Sequence, residues 1–173
     1  MRKLICIVLI IVATQACTDR KGKNHNTKVL ADEETTAFLN AASESGLTEI
    51  EASGLAQSRS KNPRVVKFAG MLIDHHTAIG EELHQIESDL MVDQHDTMSV
   101  DKQEAVAALS EKTGPEFDKA YITMMVDGHN KAVQLFEKGT ASKGASVSSF
   151  AKKNLPMLKT HLDSAKAINA SLK

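Results

Sequence analysis

From residue 32 to the C-terminus, apolar side chains recur at steps of three and four residues, and little interrupts them. The whole 173-residue chain has only nine Gly and three Pro. No stretch alternates β-branched or aromatic residues with polar ones, as a half-buried strand requires. Such a chain buries its apolar surface as amphipathic helices, each turning one stripe toward a shared core.

The stripes locate the helices. The first is expected over residues 32–60, with Phe38, Ala42, Ser45, Glu49, Ala52 and Ala56 on one face. Asn62-Pro63 punctuates the chain, and Pro63 suits the first turn of a new helix. That second helix is expected over residues 63–90, with Val65, Phe68, Leu72, His75, Ile79, Leu83, Ile86 and Leu90 on its stripe. Residues 91–99 are irregular, and a short helix over residues 100–112 follows, with Ser99 as its N-cap. Gly114-Pro115 stops it and starts a third long helix over residues 115–138, with the stripe Ile122, Met125, His129, Val133, Phe136. A loop of small residues leads to the last helix, residues 146–171, whose stripe is Val147, Phe150, Asn154, Leu158, His161, Ala165 and Ile168. Pro156 lies inside it and is expected to kink it.

Two tightly joined helix pairs linked by a long connection describe one architecture well. The expected fold class is all-α, a ferritin-like four-helix bundle with a long crossover containing a short helix. An aromatic content of 3% suits a bundle core built from Leu, Ala, Ile, Val and Met.

The N-terminus reads as a targeting segment. Arg2 and Lys3 precede a ten-residue apolar run, LICIVLIIVA, too short for the roughly 20 residues that a bilayer span needs. Thr14-Gln15-Ala16-Cys17 follows and resembles a bacterial lipobox, although Thr14 stands where Leu is usual. Residues 1–16 are therefore expected to be a lipoprotein signal peptide, with Cys17 lipidated and residues 17–31 a flexible polar tether that also holds His25. The bundle domain is then residues 32–171. The expected location is the bacterial cell envelope, lipid-anchored at Cys17, with the outer membrane facing the periplasm as the favoured site. Ordinary cleavage after Ala16 with secretion, and an uncleaved anchor, are the alternatives.

Composition removes other function classes. A formal charge of -1 argues against a basic nucleic-acid surface. Both cysteines, Cys6 and Cys17, fall in the first 17 residues, so the folded body has no disulfide, thiolate site or cysteine nucleophile. No Ser-His-Asp order, phosphate-binding loop, dinucleotide fingerprint or paired-carboxylate signature occurs.

What remains is polar residues on apolar stripes. Glu49, His75, His129 and His161 each sit near the middle of one long helix. Burying a carboxylate and three imidazoles without partners costs several kcal/mol. Helix bundles place metal ions where such side chains converge. The set suits copper, zinc or iron. Met71, Met125 and Met157 each lie four residues before one of these histidines and are further candidate ligands, which would favour a soft ion. Core packing is the plainer account of the methionines. His76, next to His75, is expected to point to the bundle edge. His84 and Glu87 read as a solvated pair, His95 lies in the crossover, and Asp74 and Asp127 read as surface charges or acceptors for the neighbouring imidazoles.

The segments AFLNAASESGLTEIEASGLAQ, VVKFAGMLIDHH, FDKAYITMMVDGHNKAVQLFEK and LPMLKTHLDSAKA, in that order, resemble the bacterial domain-of-unknown-function 4142 family. The resemblance spans about residues 34–168. It implies a ferritin-like fold, an exported protein, and motif positions matching Glu49, His75, His129 and His161. It implies no activity. True di-iron ferritins use Glu-x-x-His, but Leu72, Val126 and Leu158 stand three residues before the stripe histidines here, and too few carboxylates remain to bridge two irons. Three functions stay open: a metal-binding envelope lipoprotein for metal handling or stress defence, a redox enzyme with a mononuclear site, and a non-enzymatic structural or interaction module that binds an envelope protein and no metal.

Overall fold

A computed structural model describes residues 31–172. The expected signal peptide, Cys17 and nearly all of the expected tether therefore lie outside the described residues. Five helices follow in order: α1 (Glu33–Arg59), α2 (Pro63–Leu90), α3 (Val100–Ser110), α4 (Gly114–Gly139) and α5 (Ala145–Ser171). The expected helices agree with these to within two residues at each end.

Local chemistry sets the boundaries. Asp32 caps α1 by accepting from the Thr35 backbone N–H at 2.8 Å, with Glu33 and Glu34 in the first turn. Asn62 caps α2 by accepting from the Arg64 N–H at 3.0 Å, and Pro63 fills the first helical position. α2 ends at Met91 in the left-handed region, φ 55°. Gly114 opens α4 at φ 57°, a conformation that needs glycine just ahead of Pro115. α5 is continuous through Pro156.

α1 packs most extensively on α2, and α4 on α5. The core divides into two apolar clusters, and their membership gives the helix directions. One joins Ala52 and Ala56 of α1, Val65 to Leu72 of α2, Phe117 to Met125 of α4, and Ala165 and Ile168 of α5. The other joins Phe38 to Ala42, Ile79 and Leu83, Ala132 and Phe136, and Val147 to Leu158. α1 is thus antiparallel to α2 and α4, while α2 and α4 run parallel. Two parallel helices cannot be joined by a tight turn, so residues 91–113 cross the length of the bundle. On the way α3 packs Val106 and Leu109 into the first cluster. This is the ferritin-like four-helix arrangement.

Between the two clusters each long helix contributes about two turns that belong to neither. Glu49, His76, His129 and His161 come from those turns. The bundle is therefore two apolar halves separated by one polar layer.

Candidate metal centre

Glu49 is 2% exposed and His129 and His161 are fully buried, so all three lie inside, as their places on the stripes imply. The fourth member of the layer is His76, which is also buried, and not His75. On a wheel of about 100° per residue, His76 lies about 40° from Leu72, and His75 about 60° to the other side. α2 turns the face of Leu72, His76, Ile79 and Leu83 inward, so the expectation that His76 points to the bundle edge is overturned. Stepping by three or four residues could not choose between adjacent histidines; the mean direction of the buried face does.

His76 Nε2 lies 2.6 Å from Glu49 Oε2, and His129 Nε2 lies 3.5 Å from the same oxygen. Donor atoms of His76, His129 and His161 all fall within 4.8 Å of one another. The His76–Glu49 contact is a short imidazole–carboxylate hydrogen bond, with His76 Nε2 donating to Glu49 Oε2. Among the described residues, the other carboxylate oxygen, Glu49 Oε1, has no hydrogen-bond partner. A buried carboxylate oxygen left without a donor is costly, and buried polar groups in folded proteins are nearly always paired.

The tautomers can be assigned from the partners. His129 Nδ1 lies 2.9 Å from the Met125 carbonyl, which can only accept, so Nδ1 carries the proton and Nε2 faces Glu49 with a lone pair. That is how a ligating imidazole is held, one nitrogen fixed by a carbonyl and the other turned into the layer. His161 Nδ1 lies 3.2 Å from His129 Nε2, and His161 Nε2 lies 2.8 Å from His75 Nδ1. His75, half-buried, is therefore attached to the centre through His161. If His161 Nδ1 held an ion, its ring proton would sit on Nε2, where His75 Nδ1 would accept it and hold the ring in place.

The electrostatics agree. Burial, the largest influence on Glu49, pushes its pKa up, but His76, His129 and His161 together hold it below the usual carboxylate value. Burial drives the His161 pKa down to about 3, with the neighbouring imidazoles adding to the fall. Burial likewise lowers His129. The layer thus holds an ionised carboxylate beside His129 and His161, which stay neutral at neutral pH, the protonation state a cation needs.

One backbone feature makes room for it. A β-carbon at Gly128 would stand 3.0 Å from Glu49 Oε1, so the carboxylate lies directly against α4 beside His129. One turn along α1, Ser53 Oγ and the Tyr121 hydroxyl are 2.9 Å apart and satisfy each other.

Residues 20–168 match the family described as a domain of unknown function, DUF4142. The chain belongs to the DUF4142 family. No curated protein and no solved structure matches it.

The other candidate residues of this DUF4142 domain fall outside the layer. Met71 and Met125 pack with one apolar cluster and Met157 with the other, so the three methionines divide between the two halves. The repeat of Met four residues before His also loses a member, because Leu72 precedes His76 by four. Asp74 and Asp127 are exposed. Glu87 corrects its expected solvated pairing with His84: it is fully buried and accepts from Ser43 Oγ at 3.2 Å, while His84 lies 3.2 Å from Asp96 in the crossover. Sequence reading passed over Gly128, although a glycine in mid-helix beside a stripe histidine was visible.

Proposed function

We propose that this chain is an envelope lipoprotein whose bundle binds one transition-metal ion through Glu49, His76, His129 and His161. The observation that carries the reading is the convergence of donor atoms of His76, His129 and His161 within 4.8 Å of one another, beside the buried Glu49 carboxylate. Three borderline nitrogen donors and one hard oxygen suit zinc, copper(II) or iron(II), and the methionines add no sulfur preference. With a single internal carboxylate in the layer, metal handling or defence against metal stress fits better than two-metal oxygen chemistry.

The test is metal analysis of the protein purified without a histidine tag, beside His76→Ala, His129→Ala and His161→Ala. The wild type is expected to carry close to one equivalent and each variant far less. Equal metal content in all four would sink the shared site.

The envelope location rests on the sequence of residues 1–23. No described helix is long and apolar enough to cross a membrane. In this reading the anchor is a lipidated Cys17, and Cys17→Ser is expected to move the protein from the membrane fraction to the soluble one. A variant that stays with the membranes would remove the lipid anchor from the proposal.

A further inference from the structure

A cavity of about 210 Å³ opens between α1 and α2 and reaches His76. His76 forms part of its lining, and His84 and His95 line it as well. His76 thus belongs to both places. Its Nε2 faces Glu49, while its Nδ1 lies 3.9 Å from where a Gly46 β-carbon would stand, on the cavity side. One ring separates the cavity from the centre, with a nitrogen on each side.

The walls show why the space stays open. Gly46 and Gly80 both line the cavity from helix interiors, where glycine weakens the helix. Packing does not require glycine at either place: a β-carbon at Gly80 meets nothing within 4 Å, and one at Gly46 meets only His76. Gly128 and Gly139 differ, since neighbours stand within about 3 Å of any β-carbon there. The missing side chains of Gly46 and Gly80 leave volume free beside His76. Around the cavity, Glu81 is part of the lining and Asp96 pairs with His84, so carboxylates accompany the two outer imidazoles. Carboxylates lining a cleft raise the local concentration of cations.

We propose that this cavity is the route by which the metal ion reaches the buried centre, with His84 and His95 as an outer docking pair and His76 passing the ion inward. The route rests on the metal-centre reading. It assigns His84, His95, Gly46 and Gly80 a kinetic role, distinct from the equilibrium role of Glu49, His129 and His161. The space holds several waters, enough for a partly hydrated ion to approach Nδ1 of His76. The other side of that ring is the centre itself.

The experiment follows cobalt(II) uptake by metal-free full-length protein in detergent, by stopped-flow absorption of the bound ion. The variants are Gly46→Leu, which fills the cavity beside His76, and the double variant His84→Ala/His95→Ala, which changes only half-buried side chains. Gly54→Leu, on the exposed face of α1, is the control. The wild type and Gly54→Leu are expected to load at one rate. Gly46→Leu and the double variant are expected to load at least tenfold more slowly and reach the same final stoichiometry. Should Gly46→Leu fail to fold, the double variant decides alone. Variants that load at the wild-type rate would overturn the route and leave the centre standing. A wild type that takes up no cobalt would overturn the centre and the route with it.

Discussion

Glu49 and Glu87 are two carboxylates buried in one bundle, on adjacent antiparallel helices, and their surroundings push them in opposite directions. Glu49 meets three imidazoles and stays ionised against its burial. Glu87 has one hydroxyl, from Ser43, and a second oxygen without a partner. Burial, the main influence on it, raises its pKa. Depth alone does not separate the two, since Glu49 is 2% exposed and Glu87 0%. What separates them is the number of nitrogen donors converging on the carboxylate. A buried acid alone in a bundle is a cost that favours its own protonation, whereas a buried acid among imidazoles is the anionic half of a cation site.

The sharpest way to break this contrast is to neutralise each acid in turn. Glu49→Gln keeps the shape and removes the charge. It is expected to weaken metal binding by ~100-fold or more, because the ion loses its one anionic ligand. Glu87→Gln is expected to leave metal binding unchanged. A folded pKa raised above its unfolded value gives stability below the unfolded value and takes it away as pH rises through the folded one. At pH 7 Glu87 is therefore a cost, and its replacement should shift stability by no more than about 1 kcal/mol, toward greater stability. Isothermal titration and urea denaturation of both variants decide the matter. Equal effects would mean that the two acids are equivalent structural groups.

A titration of stability carries the comparison to the histidines. His129 and His161 have folded pKa values below the ordinary 6.5, His161 at about 3. Below pH 6.5 the unfolded chain binds protons at these two positions that the folded chain refuses. Stability of the metal-free protein is thus full above that pH and falls as pH drops from 6.5 toward 3, by up to ~1.4 kcal/mol per unit for each group. Glu87 works in the opposite sense and is a smaller contributor in that range. Denaturant midpoints at pH 7.5, 6 and 5 should fall in order, and His161→Leu should flatten the slope. A flat wild-type profile would show that the layer is not held neutral.

The bundle was legible in the sequence because its determinants are local. Stripe periodicity, the Asp32 and Asn62 caps and the Gly114-Pro115 break each act over a few residues, and each set a boundary within two residues of the observed one. Glu49, His129 and His161 were legible because a polar residue on an apolar stripe must be buried with company. His76 was not, because adjacent residues differ by a rotation smaller than the width of the buried face. Glu87 was misread for the same reason, as Ile86 completes the stripe equally well. The cavity over His76 was invisible, since it depends on which glycines of two different helices come to line one space.

The smallest expected effect separates two glycines. Gly128→Ala and Gly54→Ala are the same substitution inside long helices, and in an exposed helix interior it stabilises by about 0.5–1 kcal/mol. At Gly54 the new methyl group meets nothing within 4 Å, so that gain should appear in full. At Gly128 it stands 3.0 Å from Glu49 Oε1, and the carboxylate must move away from α4 and from His129. The helix gain is then offset, and metal affinity should fall by about tenfold, the scale of losing support behind a ligand. Melting temperatures of the metal-free proteins beside their metal affinities make the test. If both variants gain stability and keep affinity, the carboxylate does not depend on its seat against α4. If only Gly128→Ala loses affinity, the absent side chain at position 128 is part of what holds Glu49 in register with the imidazoles.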